Sequence, residues 1–147
     1  MKFNTNKLEG VKVSTIFENE NYDSKLLEYT KSKELFLGKL NEIYVNLPYN
    51  GEKEILVGLG KRNELEEDQV REVFFKLVKV LAKHKEFEAQ ITLPKLDNIP
   101  TQNLVNAAVE GALHATYKFD KYKSDRKDFP EITINLVTEE KIDNIED

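Results

Sequence analysis

Cysteine is absent from this 147-residue chain, and histidine occurs only twice. The first absence excludes disulfides, thiolate nucleophiles and every cysteine-based zinc or iron–sulfur site. The second leaves too few imidazoles for a conventional zinc centre, while an all-carboxylate Mg²⁺ or Mn²⁺ site stays open in principle. Long apolar runs are missing as well. The densest, Ile55 to Leu59, is broken by Gly58 and falls far short of the ~20 residues that span a bilayer. The N-terminus, Met1 to Lys7, has no apolar stretch behind its charges and does not read as a secretory signal. A cytoplasmic location is the expectation. No sign of charge dominates: 22 basic against 27 acidic residues give a net charge of −5, which offers no general attraction to nucleic acid or to an anionic membrane.

What is present suits a single domain. Hydrophobic residues make up 39% of the chain and aromatics 10%, enough apolar material for a packed core and too much for a disordered chain. Val11, Val13, Thr15 and Phe17 alternate with Lys12, Ser14 and Ile16, the period of a strand. Asp23 or Ser24 caps a first helix to about Glu34, with Leu26, Leu27 and Thr30 inward. Ile43, Val45 and Leu47 alternate again before Asn50-Gly51, a type I′ hairpin signal, so 43–48 is expected to pair antiparallel with 53–59. Pro48 belongs at a strand end or edge. The second strand is apolar on both faces, which suits a central position in a covered sheet.

The next segment is helical. Asn63, with Glu66 three residues on, reads as a capping box. Val70, Val73, Phe74, Leu77, Val78 and Leu81 form the inward stripe, with acids at the start and Lys83, His84 and Lys85 at the end, both matched to the helix dipole. A strand at 88–93 follows, so strand, helix and strand read as a parallel crossover. Thr101 caps a further helix to about Lys118, striped by Leu104, Val105, Ala108, Val109, Ala112 and Leu113. A charged connector, Asp120 to Asp128, leads to a last strand with Ile132, Ile134 and Leu136. The acidic tail beyond Glu139 has only Ile142 and Ile145 as apolar residues. The sum is an α/β domain with a mixed sheet of about five strands and helices on both faces.

The residues offer few chemical sites. Gly58-Leu59-Gly60-Lys61 before a helix resembles a phosphate cradle, but position 63 is Asn, the P-loop ending is missing, and four acids crowd the helix start. A tight strand-to-helix turn is the better reading. His84 reads as a capping or solvated group and His114 as packed or surface. Lys118, Lys121, Lys123, Arg126 and Lys127, with Tyr117, Phe119 and Tyr122 among them, suggest nucleic acid; Asp120, Asp125 and Asp128 cancel most of that charge. No nucleophile–base pair assembles from local motifs.

Several segments in order carry a resemblance: Ile55-Leu56-Val57-Gly58-Leu59-Gly60-Lys61, the Arg71-bearing helix, Ile91-Thr92-Leu93-Pro94, Ala107-Ala108-Val109-Glu110-Gly111, and Tyr117-Lys118-Phe119-Asp120-Lys121-Tyr122-Lys123-Ser124. Together they resemble the N-terminal domain of the leucyl (cytosol) aminopeptidases, over roughly Val45 to Val137. The resemblance implies a macro-domain-like, three-layer α/β/α sandwich at 1–138, with an interdomain linker starting at 139–147. It also implies a parent enzyme that uses two divalent metals, Zn or Mn, and is typically hexameric. In that family the metal ligands lie in a C-terminal domain signed by Asn-Thr-Asp-Ala-Glu-Gly-Arg, a heptapeptide absent here. No catalytic or metal residue and no cofactor is therefore expected in these residues. The implied partners are the C-terminal catalytic domain and further copies of the chain. Gly58, Gly60, Glu110, Gly111, Tyr117, Phe119 and Asp120 are the positions carried over. The glycines are expected to serve close packing, Tyr117 and Phe119 to anchor the helix exit in the core, and Glu110 and Asp120 to bond backbone or the following domain. The competing reading is a free-standing macro-like module for ADP-ribose or a related nucleotide. DNA binding, a third, is opposed by the net negative charge.

Overall fold

The computed structural model describes residues 1–122 and 130–139, apart from the side chains of 118–122. Its elements run β1 (Lys2–Thr5), β2 (Val11–Phe17), α1 (Lys25–Ser32), β3 (Ile43–Asn46), β4 (Glu54–Gly60), a 3-10 turn (Arg62–Glu64), α2 (Glu67–Lys83), β5 (Glu88–Thr92), α3 (Thr101–Tyr122) and β6 (Thr133–Val137). The strands form one six-stranded sheet in the order β1-β6-β5-β2-β4-β3, parallel throughout except for the antiparallel β3–β4 pair. The mixed sheet of the expectation is therefore present. The crossover from β4 through α2 to β5 passes over β2, which lies between them.

The register explains why the two faces differ. One row across the sheet is Thr5, Leu136, Ile91, Val13, Ile55 and Val45, apolar on every strand but β1. The neighbouring row is Asn4, Asn135, Gln90, Lys12, Glu54 and Asn46, polar on all six strands. Side chains one residue apart on a strand point to opposite faces, so alternate rows build an apolar and a polar side. The apolar side packs on α2 and α3, whose buried stripes include Val70, Phe74, Leu77, Leu81, Leu104, Ala108 and Ala112. On the other side α1 covers the corner where Ile16 and Leu56 are apolar, joined by Leu27 and Phe36. The result is three layers. Among the described residues, no helix is long and apolar enough to cross a membrane.

Several local expectations are corrected. β1 adds a strand that no apolar alternation marks; its four residues, Lys-Phe-Asn-Thr, carry a single buried apolar side chain. Ser24 is the α1 cap, its side chain accepting from Leu27 N–H at 3.1 Å. Leu27 and Thr30 are buried as expected, while Leu26 is only partly so. The β3–β4 strands pair as expected, but residues 47–53 lie between them, and Gly51 has positive φ (123°) while Asn50 does not. Asn50-Gly51 is thus not a type I′ turn, which needs positive φ at both positions. Asn63 falls in the 3-10 turn and does not cap α2. Leu65 has to drop into the core at 1% exposure with extended backbone, so the helix starts later. Its cap is Glu66, whose N–H donates to the Gln69 side chain at 3.0 Å. α3, by contrast, starts one residue early: Leu104 N–H donates to the Pro100 carbonyl, so Thr101, the expected cap, is already helical. That helix also runs past Lys118 to Tyr122. The rest of the charged connector, and Ile142 and Ile145, lie outside the described residues.

Candidate functional site

In an open α/β sheet, ligands sit beyond the carboxyl ends of the strands where the connections diverge to either side. Here that point lies at the ends of β2, β4 and β5. It is closed by side chains. Arg62, just past β4, donates Nε to Glu20 Oε2 at 2.8 Å and Nη2 to Glu20 Oε1 at 2.9 Å. Its Nη1 donates to the Lys95 carbonyl at 3.1 Å, and the guanidinium lies 4.5 Å from the centre of the Phe17 ring. One arginine thereby ties together the three segments that leave β2, β4 and β5. Tyr22 completes the cluster, its hydroxyl accepting the Phe17 N–H at 2.9 Å. Burial holds the Tyr22 phenol above its ordinary pKa, and the Arg62 hydrogen bonds hold the Glu20 carboxyl below the usual carboxylate value.

Sequence reasoning passed over Arg62, Glu20 and Tyr22. Glu20 and Arg62 are 42 positions apart, so no local spacing announces them. The signal available was their place just beyond the ends of two apolar strands.

The Gly58-Leu59-Gly60 segment sits at the same end and is consumed by packing. A Cβ on Gly58 would lie 2.1 Å from the Lys39 carbonyl oxygen. Gly60 has φ of +74°, a conformation that side chains disfavour. Gly58 N–H donates to the Glu42 carbonyl at 2.7 Å and Gly60 N–H to the Gly38 carbonyl at 2.9 Å. Neither N–H is left for an anion, and α2 begins only at Glu67. The glycines lie in close packing, and a 3-10 turn separates the strand from α2, so strand and helix are not joined by one tight turn.

Glu110 and Gly111 lie where α3 crosses α2. Glu110 Oε1 accepts from Arg71 Nε at 2.8 Å, and Asp68 and Glu67 also pair with that guanidinium. Glu110, expected to bond backbone or the following domain, here accepts from a side chain of its own domain. The acids, Glu110 first, raise the pKa of Arg71 further. Gly111 allows the helices to touch, since a Cβ there would lie 2.2 Å from the Arg71 carbonyl oxygen. Tyr117 is not in the core. It is 62% exposed, because it continues the exposed face of α3 that Asn103, Asn106, Glu110 and His114 mark at helical spacing. Phe119 and Asp120 fall on α3 at positions whose side chains are outside those described, as do Lys118, Lys121 and Tyr122. Lys61 is the residue before the 3-10 turn, with no side-chain cap bond. His84 is the C-cap position of α2, and the His114 ring lies 5.2 Å from that of Phe75, tilted by 54°.

No three His, Asp or Glu side chains among the described residues converge where they could hold a metal ion. The described donor set therefore does not fit a metal centre, and no step of hydrolysis is assigned to these side chains.

If Arg62 is replaced by methionine, the lost ion pair should cost at most about 1 kcal/mol, since both groups are partly exposed. The sign of the pH effect follows from Glu20. Its carboxyl is held below the ordinary value in the fold, so the stabilisation is present above the unfolded pKa and lost as pH falls through the folded one. Denaturant unfolding of both chains should show a difference at pH 7 that narrows toward pH ~3. A difference independent of pH would remove the ion pair from the account.

The profile of the cytosol aminopeptidase family, N-terminal domain, matches residues 6–126. A probable cytosol aminopeptidase of Treponema denticola is 42% identical over 135 residues, which cover 92% of this chain and 28% of that protein. One from Clostridium tetani is 31% identical over 151 residues, covering 99% of this chain and 31% of that protein. Among solved structures, a tomato leucine aminopeptidase mutant superposes with a TM-score of 0.72 at 15% identity, over 93% of this chain and 32% of that one. The bottromycin maturation enzyme BotP in complex with Mn gives 0.66 at 16% identity, over 88% and 27%. The chain thus spans about three-tenths of the length of these curated relatives.

Proposed function

This chain belongs to the cytosol aminopeptidase family, as its N-terminal domain, and from that premise we propose that it is the non-catalytic part of a two-metal aminopeptidase. Removal of N-terminal residues from peptides is the work of a C-terminal domain that holds both divalent metals, Zn or Mn. The N-terminal domain serves assembly into a hexamer and shapes the access of peptides, in the cytoplasm. The observation that carries this reading is the match of the N-terminal profile over 6–126 in a chain that covers less than a third of its relatives. The Arg62 closure of the strand ends speaks against the nucleotide-binding alternative, because the crevice such a ligand would use is pinned by protein groups.

The purified chain is expected to release no product from a leucyl chromogenic amide with Zn²⁺ or Mn²⁺ added. Turnover that co-purifies with the chain through successive columns and is removed by a chelator would refute the reading. Calorimetry with ADP-ribose should give no binding heat; micromolar binding would favour the nucleotide module instead.

A further inference from the structure

Asn50-Gly51 is left without a structural role once the tight-turn reading fails. Both residues are exposed and lie in the 47–53 connection, outside the strands it joins. Tyr49 beside them is fully exposed, so the tip of this connection stands clear of the body. Around Gly51 the space is open: a Cβ there would meet only Pro48 Cγ, at 3.8 Å. Among the described residues, no hydrogen bond engages the Asn50 side chain or the Gly51 N–H.

Those are the conditions under which an asparagine closes on its own backbone. The reaction needs the next residue's nitrogen to reach the side-chain carbonyl carbon, and glycine leaves that approach unhindered. It also needs an N–H that is not held in a hydrogen bond and a local chain free to rotate. We infer that Asn50 is a site of spontaneous deamidation. The Gly51 nitrogen gives up its proton to base and attacks Asn50 Cγ. The new C–N bond closes a five-membered succinimide, and the Cγ–Nδ2 bond breaks with ammonia leaving. Water then opens the ring. Cleavage at Cγ gives aspartate, and cleavage at the main-chain carbonyl gives isoaspartate, with the backbone rerouted through Cβ. The net reaction consumes one water, releases one ammonia and involves no redox change.

Among the described residues, several other asparagines are held or lie within a helix. Asn6 Oδ1 accepts from Thr138 N–H, Asn41 Nδ2 donates to Glu72, and Asn135 is buried with its amide fully engaged. Asn103 and Asn106 lie within α3. None of these is followed by glycine. Deamidation of Asn50 adds one carboxylate to a chain of net charge −5 and, as isoaspartate, lengthens the β3–β4 connection by one backbone carbon. It is a covalent change confined to the edge of the sheet.

The test is incubation of the folded chain at 37 °C from pH 6 to 8.5, followed by peptide mapping and anion exchange. A gain of about 1 Da should localise to the peptide bearing Asn50, with an earlier-appearing acidic form as pH rises. Asn50→Gln should suppress it, and Gly51→Ala should slow it at least ~10-fold, because a Cβ hinders ring closure. The structural content lies in a second comparison. If the fold places no restraint on this connection, the folded chain should react within roughly fivefold of the same chain in urea. A slower native rate, or a first gain at another asparagine, would overturn the inference.

Discussion

Gly111→Ala should destabilise the domain by about 1–2 kcal/mol net, even though alanine is the better helix former. Two effects oppose each other. Inside α3, exchanging Gly for Ala gains about 1 kcal/mol of helix propensity. At this position, however, the added Cβ would lie 2.2 Å from the Arg71 carbonyl oxygen and 2.9 Å from its carbonyl carbon and Cα. These are backbone atoms of α2, so no rotamer change relieves the overlap, and the helices have to move apart by about 1 Å to reach an ordinary contact. That displacement is shared by the seam around it. Val70, Phe74, Leu77 and Val78 face Leu104, Ala107, Ala108, Ala112 and Ala115 in one continuous core. Opening a packed seam forfeits dispersion along its length, and overpacking of this kind costs typically 1–3 kcal/mol, occasionally more. The overlap therefore outweighs the propensity. The measurement is a urea melt, expected to show a lower midpoint with an unchanged slope. Arg71→Ala in the same chain should not rescue it, because the clash is with the Arg71 main chain. A variant as stable as the parent would mean that α3 can shift without loss, and that Gly111 is not required for the crossing.

What could be read in advance follows the range of the forces involved. α2 and α3 were legible because their stripes repeat within the helix itself. β2, β4 and β5 were legible because their residues alternate or are apolar throughout. In each case the pattern is local. β1 was not, since its only buried side chain is Phe3 and its partner strand lies about 130 residues away. The α2 cap was misplaced by three residues because a core contact, Leu65, decided it rather than the capping chemistry. Tyr117 failed for a related reason. Aromatic character suggests burial, but position 117 falls on the face of α3 shared by exposed Asn106, Glu110 and His114, and that face decides where the side chain goes. At the strand ends, the glycines were visible in the sequence, whereas the Arg62–Glu20 tie depends on a sheet order that no spacing reveals.

Asn135→Leu tests the least legible part of the fold, and it should cost roughly 2–4 kcal/mol. β1 and β2 are parallel and separated by β6 and β5, so the chain from Thr5 to Val11 has to cross the polar side of the sheet. Asn135 holds that crossing. Its Nδ2 donates to the Glu9 carbonyl and to Glu88 Oε2, both at 2.9 Å, and its Oδ1 accepts from Asn4 Nδ2 at 2.9 Å. Gln90, in the same row, adds a bond to the Gly10 carbonyl at 3.1 Å. Asn135 itself is fully buried. Leucine has nearly its volume but none of its donors, so the Glu9 carbonyl and the Asn4 amide lose their partner in part-buried bonds. Each such group costs about 1–3 kcal/mol, while Glu88 is exposed enough to recover its bond from water. Removing only the outer member, Asn4→Ala, should cost about 1 kcal/mol, the worth of one neutral hydrogen bond. Hydrogen exchange gives the spatial readout. In Asn135→Leu the amides of Lys2 and Asn6, bonded to the Ile132 and Leu136 carbonyls, should lose protection well before those of α2 and α3. If leucine is tolerated, or if protection falls evenly across the domain, then the strap is held by the backbone ladder and the polar row is only its solvated face.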